Sequence, residues 1–194
     1  MSPIPLGILA ASGVGAASGL AYELLETVRL DSTAASIELT SLDSKYSSDY
    51  LHLELRVTAR SSTSGSNAQD LYIQFNNSTS GYRYITVAGE GTSELGEYNT
   101  LRDSARVRQM LPKASATGDA YGSAVMLIPN AFSTLMQKKI QYIGGTHLVD
   151  QKRISFGEAT STNDSSSKID KITVSNLNSL LSGTVVKLYG WRAA

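Results

Sequence analysis

Hydrophobic and polar residues alternate along most of this chain with a period of two. Residues 50–59 (YLHLELRVTA) are the clearest case: Leu51, Leu53, Leu55 and Val57 fall on one face, His52, Glu54, Arg56 and Thr58 on the other. That period marks a strand half buried in an antiparallel sheet. Residues 70–75 repeat it, setting Leu71, Ile73 and Phe75 against Tyr72 and Gln74. Residues 22–29 read as helix or strand, 30–34 as a turn, and 35–40 as a strand with Ile37 and Leu39 inward. The three segments together predict a hairpin. Further strands are expected over 82–88, 120–128, 138–143, 155–160, 169–175 and 184–190. Residues 41–49, 60–69, 76–81, 110–119, 162–168 and 176–183 read as loops and turns, and 131–137 as a short turn of helix. Residues 93–108 show no clear period. No helical period survives after Leu25 and no tandem repeat is visible. So many short alternating strands need a second sheet to cover their apolar faces. The expected architecture is an all-β, jelly-roll-like antiparallel β-sandwich.

The first twenty residues break the pattern. They carry no charged side chain and consist mostly of Gly, Ala, Ser and a few aliphatics. A secretory leader would have a basic start, yet the first cation is Arg29. A membrane span is opposed by Pro3 and Pro5 and by a short run rich in Gly and Ser. The favoured reading is an extended arm that packs into a neighbouring subunit. Proline fixes φ and removes donors, while Gly and Ala let backbones approach closely. The division is then an assembly arm at 1–20 and a sandwich domain at 21–194. Pro3, Ile4, Pro5, Leu6, Ile8, Leu9, Val14 and Leu20 form the candidate assembly interface. Gly13, Gly15 and Gly19 are spaced one residue too long for a dinucleotide-binding turn, and no βαβ unit follows.

Composition narrows the function. The 194 residues suit one domain, and 17 basic against 17 acidic residues give no net charge. That balance argues against an electrostatic nucleic-acid binder. With no cysteine there is no disulfide, thiolate metal site or cysteine nucleophile. Ten tyrosines against three phenylalanines and one tryptophan point to half-buried rings whose hydroxyls meet water or a partner.

Candidate chemistry is sparse. His52 and His147 are the only histidines, and neither has companions at zinc-ligand spacing. Asp164 and Asp170 are too far apart for a calcium loop. No Gly-x-Ser-x-Gly elbow occurs, and the carboxylate pairs Glu23/Glu26 and Glu94/Glu97 read as surface charge. The expectation is a non-enzymatic protein with no cofactor and no metal. Tyr82, Tyr84 and Trp191, interleaved with Arg83 and Arg192, form a candidate surface interface, with cross-strand aromatic pairing as the alternative.

Several segments together resemble a family of structural proteins from tailed bacteriophages. They are residues 1–13 (MSPIPLGILAASG), 22–28 (YELLETV), 50–60 (YLHLELRVTAR), 71–77 (LYIQFNN), 120–125 (AYGSAV) and 186–190 (VKLYG). The matches run in order along nearly the whole chain. Trp191 departs from the aliphatic that commonly follows the glycine, and residues 93–113 diverge. The resemblance implies a location on the virion, with assembly in the host cytoplasm. It favours a capsid decoration or cement protein, expected as a homotrimer contacting the major capsid protein or another virion protein. The alternative is a tail-associated fibre or adhesin module contacting host surface glycans through the loops at 61–69, 76–81 and 160–167. No nucleic acid or membrane partner is expected.

Overall fold

The computed structural model describes residues 21–65, 68–90, 93–115, 120–147, 152–163 and 166–192. The arm residues Pro3, Ile4, Pro5, Leu6, Ile8, Leu9, Val14 and Leu20 lie outside them. The elements are β1 (Tyr22–Arg29), β2 (Ala34–Leu39), α1 (Leu42–Tyr46), β3 (His52–Ala59), β4 (Ala68–Phe75), β5 (Tyr82–Glu90) and β6 (Ser93–Arg102). They continue with β7 (Ala105–Pro112), β8 (Gly122–Ile128), β9 (Lys138–His147), β10 (Lys152–Ser161), β11 (Ile172–Leu180) and β12 (Val185–Trp191). An eight-stranded sheet has the order β1-β12-β3-β8-β9-β10-β5-β6, and a four-stranded sheet the order β2-β11-β4-β7. Every neighbouring pair is antiparallel. The all-β antiparallel sandwich expected from the sequence is therefore the observed fold, built from two sheets of unequal size.

The small sheet packs on the inner face of the large one, with β7 lying across β5, β8, β9 and β10. Leu53, Leu55 and Val57 of β3 and Met126 and Ile128 of β8 point into the core. They meet a cluster that includes Leu71, Ile73 and Phe75 of β4 and Ile172 and Val174 of β11. Each such side chain contributes ~1.5–3 kcal/mol on burial. β7 is the edge strand of the small sheet and ends at Pro112, where a residue without an N–H costs the ladder least.

Several local expectations change. β1 and β2 do not form a hairpin: β1 pairs with β12 in the large sheet and β2 with β11 in the small one. Leu30 carries the chain between sheets, its N–H donating to the Thr184 carbonyl at 2.9 Å and its carbonyl accepting from Gly183 at 2.7 Å. Alternation says which face of a strand is buried, not which sheet the strand joins. Residues 131–137 form turns instead of helix, wrapped around Lys138, whose buried ammonium donates to the carbonyls of Ser133 and Met136. The loop expected at 41–49 contains α1. Part of the turn expected at 176–183 is strand: β11 runs on to Leu180, with an irregular register after Ser175 where the Asn176 amide donates to Ser61 Oγ at 2.7 Å.

Candidate functional site

The outer face of the large sheet, opposite the small sheet, holds the strongest candidate. Strand registers sort its central residues into rows running across β8, β9, β10 and β5. The middle row is Val125, Ile143, Phe156 and Val87, each directly opposite the next. On one side lies the row Ser123, Gly145, Ile154 and Gly89. On the other lie Leu127, Gln141, Glu158 and Ile85. Val87, Val125, Ile85, Ile143, Ile154 and Phe156 keep between 39% and 55% of their surface exposed. Two shallow grooves of about 590 and 550 Å³ flank the middle row and share Val125 and Ile143. One opens over Gly144 and Gly145, where the sheet has no side chains to fill it. The middle row carries no charge from Val125 to Val87. The nearest carboxylate in the side rows, Glu158, is held by Lys139 at 2.9 Å and receives the Gln141 amide at 3.3 Å. Scattered single apolar residues are ordinary on a protein surface, but a contiguous patch marks an interaction surface.

The same face is built differently at the β1–β12–β3 end. Tyr22 and Tyr189 stack with ring centroids 5.0 Å apart, and Trp191 tilts onto Tyr22 at 4.4 Å. The Arg56 guanidinium lies over the Tyr189 ring at 4.9 Å. Glu54 is buried beneath them, accepting from Tyr22 Oη at 2.7 Å and from Arg56 Nε at 2.7 Å. Burial, and then the bond to Glu54, pushes the Tyr22 phenol from its ordinary 10.0 up to about 12. Trp191 of the predicted interface thus sits on this face, part of a cluster whose members cover one another.

Tyr82 and Tyr84, predicted as surface residues, are core residues. Both are buried on the inner face of β5. Tyr82 Oη accepts the Phe75 N–H at 2.7 Å. Tyr84 Oη donates to Glu97 at 2.9 Å and accepts from Arg106 at 3.1 Å. The outward positions on that strand are Arg83, Ile85 and Val87. The sequence signal for the patch is an apolar residue on both faces of β8, β9 and β5, although among the described residues one second sheet covers one face alone.

A charged network lies where β5 and β6 meet β7 and β4. Arg106 Nε donates to Asp70 at 2.6 Å, and Arg106 and Arg108 both pair with Glu97. Asp70 also accepts the Gln109 N–H at 2.7 Å. This network accounts for part of the missing period at 93–108: Glu97, Arg106 and Arg108 answer one another across strands, while Glu94, Arg102 and Asp103 face water. Beside it opens a polar cleft of about 440 Å³ whose walls include Tyr72, Gln74, Arg102, Asp103 and Asn176.

Among the described residues no group of three or more His, Asp or Glu is placed to hold a metal ion. His52 Nδ1 accepts the Asn130 N–H at 2.9 Å, a structural role; the His147 side chain is outside the described set. No described helix is long and apolar enough to cross a membrane. Compared with protein-family models, curated proteins and solved structures, the chain gives no match.

Proposed function

We propose that this protein is a non-enzymatic structural subunit of a tailed-bacteriophage particle, a decoration or cement protein that stabilises the assembled head. The observation that carries the reading is the exposed apolar row Val125–Ile143–Phe156–Val87 on a sheet whose inner face is buried against the small sheet. Such a row loses ~25 cal/mol of unfavourable hydration per Å² when another molecule covers it. Modest contacts repeated over a shell add by avidity, so no single strong site is required. The ordered sequence resemblance to virion proteins supports the particle as the setting, and a homotrimer fits a surface subunit that repeats around symmetry axes. The partners are other copies of the chain and a capsid protein.

The test is sedimentation of the full chain together with imaging of intact particles. The expected outcome is concentration-dependent association and many copies over the head. A chain that stays monomeric at all concentrations, or is missing from particles, overturns the reading. A second reading, a tail-associated adhesin, is favoured by the polar cleft beside Tyr72 and Arg102. Few copies confined to the tail, with glycan binding lost in Tyr72→Ala, would put it first.

A further inference from the structure

We infer that the outer apolar row of one copy is the seat for the amino-terminal arm, residues 1–20, of a neighbouring copy. This rests on the assembly reading above and names the partner of the same face.

Chemistry matches first. The arm has no charged side chain, and the middle row has none between Val125 and Val87. Pro3, Ile4, Pro5, Leu6, Ile8 and Leu9 supply the apolar bulk, while residues 10–19 are nearly all Ala, Ser and Gly. The face offers the complement: a ridge of aliphatic and phenyl groups flanked by two grooves, one of them open where Gly145 presents no side chain. Small residues let one backbone lie close over another at such places.

Length matches next. Adjacent strands lie ~4.8 Å apart, so the row from β8 to β5 spans ~14 Å. Twenty residues in extended form reach ~66–72 Å, enough to cross between molecules and still cover the row.

Direction selects a neighbour over the arm's own domain. β1 begins at Tyr22, opposite Trp191 and His52, at the end of the sheet beyond Leu24, Tyr189 and Glu54. From there β1 runs along the sheet, through Thr27 to Arg29 at its opposite end, so the arm is attached at the far corner from the row. Between Tyr22 and Val125 stands the ridge of Tyr189, Arg56 and Lys187, where Arg56 is already paired with Glu54 and the exposed Lys187 ammonium would lose water under an uncharged segment. The seat and the root of the arm are thus on one face but separated, the arrangement that generates head-to-tail contacts in a ring.

The absence of native cysteine allows a clean test. One full chain carries Ile8→Cys and a second carries Val87→Cys; they are mixed and mildly oxidised. A disulfide between the two chains is expected, and none when Lys187→Cys replaces Val87→Cys. A chain carrying both substitutions that closes only on itself overturns the neighbour assignment. Sedimentation of two further full-length variants separates this inference from the assembly reading. Leu6→Glu/Ile8→Glu/Leu9→Glu and Phe156→Lys are each expected to weaken association roughly tenfold or more. If Phe156→Lys weakens it and the arm variant does not, the arm is not the occupant while the assembly reading stands. If neither weakens it, both fall. Phe156 lies outside the core, and circular dichroism of both variants is expected to match the parent.

Discussion

The two ends of the large sheet's outer face solve the same problem in opposite ways. At β1–β12–β3, Tyr22, Tyr189, Trp191 and Arg56 lie on one another and Glu54 answers their polar atoms. At β8–β9–β10–β5, Val125, Ile143, Phe156 and Val87 stand side by side, and no described element packs above them. Both stretches belong to one sheet whose inner face is packed. The difference therefore reflects side-chain choice, not backbone geometry. Several long aromatic and guanidinium groups together can fold over one another; the short β-branched Val125, Ile143 and Val87 cannot reach across to cover the single ring of Phe156. At the first end the rings and the guanidinium cover much of one another, although Leu24 and Trp191 keep some exposure; at the second, four apolar side chains stay open together.

Substitutions that act on one end alone test this contrast. The largest effect is expected from Phe156→Lys, which places a charge in the centre of the open row. Association measured by sedimentation should fall roughly a hundredfold, as for a central interface residue, while thermal stability stays within about 0.5 kcal/mol of the parent. A melting temperature that collapses instead would make Phe156 a core residue and erase the contrast.

Next is Gly157→Ala, directly beneath the open row. The Tyr142 hydroxyl reaches Thr86 across Gly157, and an added Cβ there would sit 2.3 Å from the Ile85 carbonyl and 2.7 Å from Tyr142 Oη. Backbone on one side cannot yield, so denaturant unfolding should show a loss of ~1–3 kcal/mol. No loss would mean that the inner face tolerates slack and that openness is not confined to the outside.

At the closed end, Tyr22→Phe removes the bond to Glu54 and should cost ~1 kcal/mol by the same measurement, with association unchanged. It should also alter the alkaline limb. Burial raises the phenols of Tyr22 and Tyr142 from 10.0 to about 12. A folded-state value above the unfolded one stabilises the fold fully below pH 10.0, and that contribution is lost as pH rises toward about 12. Thermal melts across that window should fall, and less steeply in Tyr22→Phe. The smallest effect is expected for Lys187→Ala on the polar ridge, within about 0.5 kcal/mol in stability and with no change in association.

The chain states its strands more clearly than its surfaces. The period-two run at β3 was legible because Leu53, Leu55 and Val57 alternate with polar residues, and the structure buries those three. The β1–β2 hairpin was misread because both strands alternate correctly while belonging to different sheets. β6 and β7 were illegible because Glu97, Arg106 and Arg108 pair with one another in place of water. Tyr82 and Tyr84 read as surface residues because tyrosine suits either side of a boundary; the hydroxyls found partners inside. The open row was hidden for the converse reason. Ile143 and Val125 are core residue types, and only the count of sheets in the assembled fold reveals that nothing covers them.

The pairing of β12 between β1 and β3 has a consequence for synthesis. Among the described strands of the large sheet β1 pairs only with β12, so a strand made early waits for one made late before it can pair. Arg192 then ties to Ala21 through an N–H to carbonyl bond of 3.0 Å. The root of the arm is thus fixed only when translation has passed Arg192. A prematurely terminated chain therefore leaves β1 without the strand it pairs with.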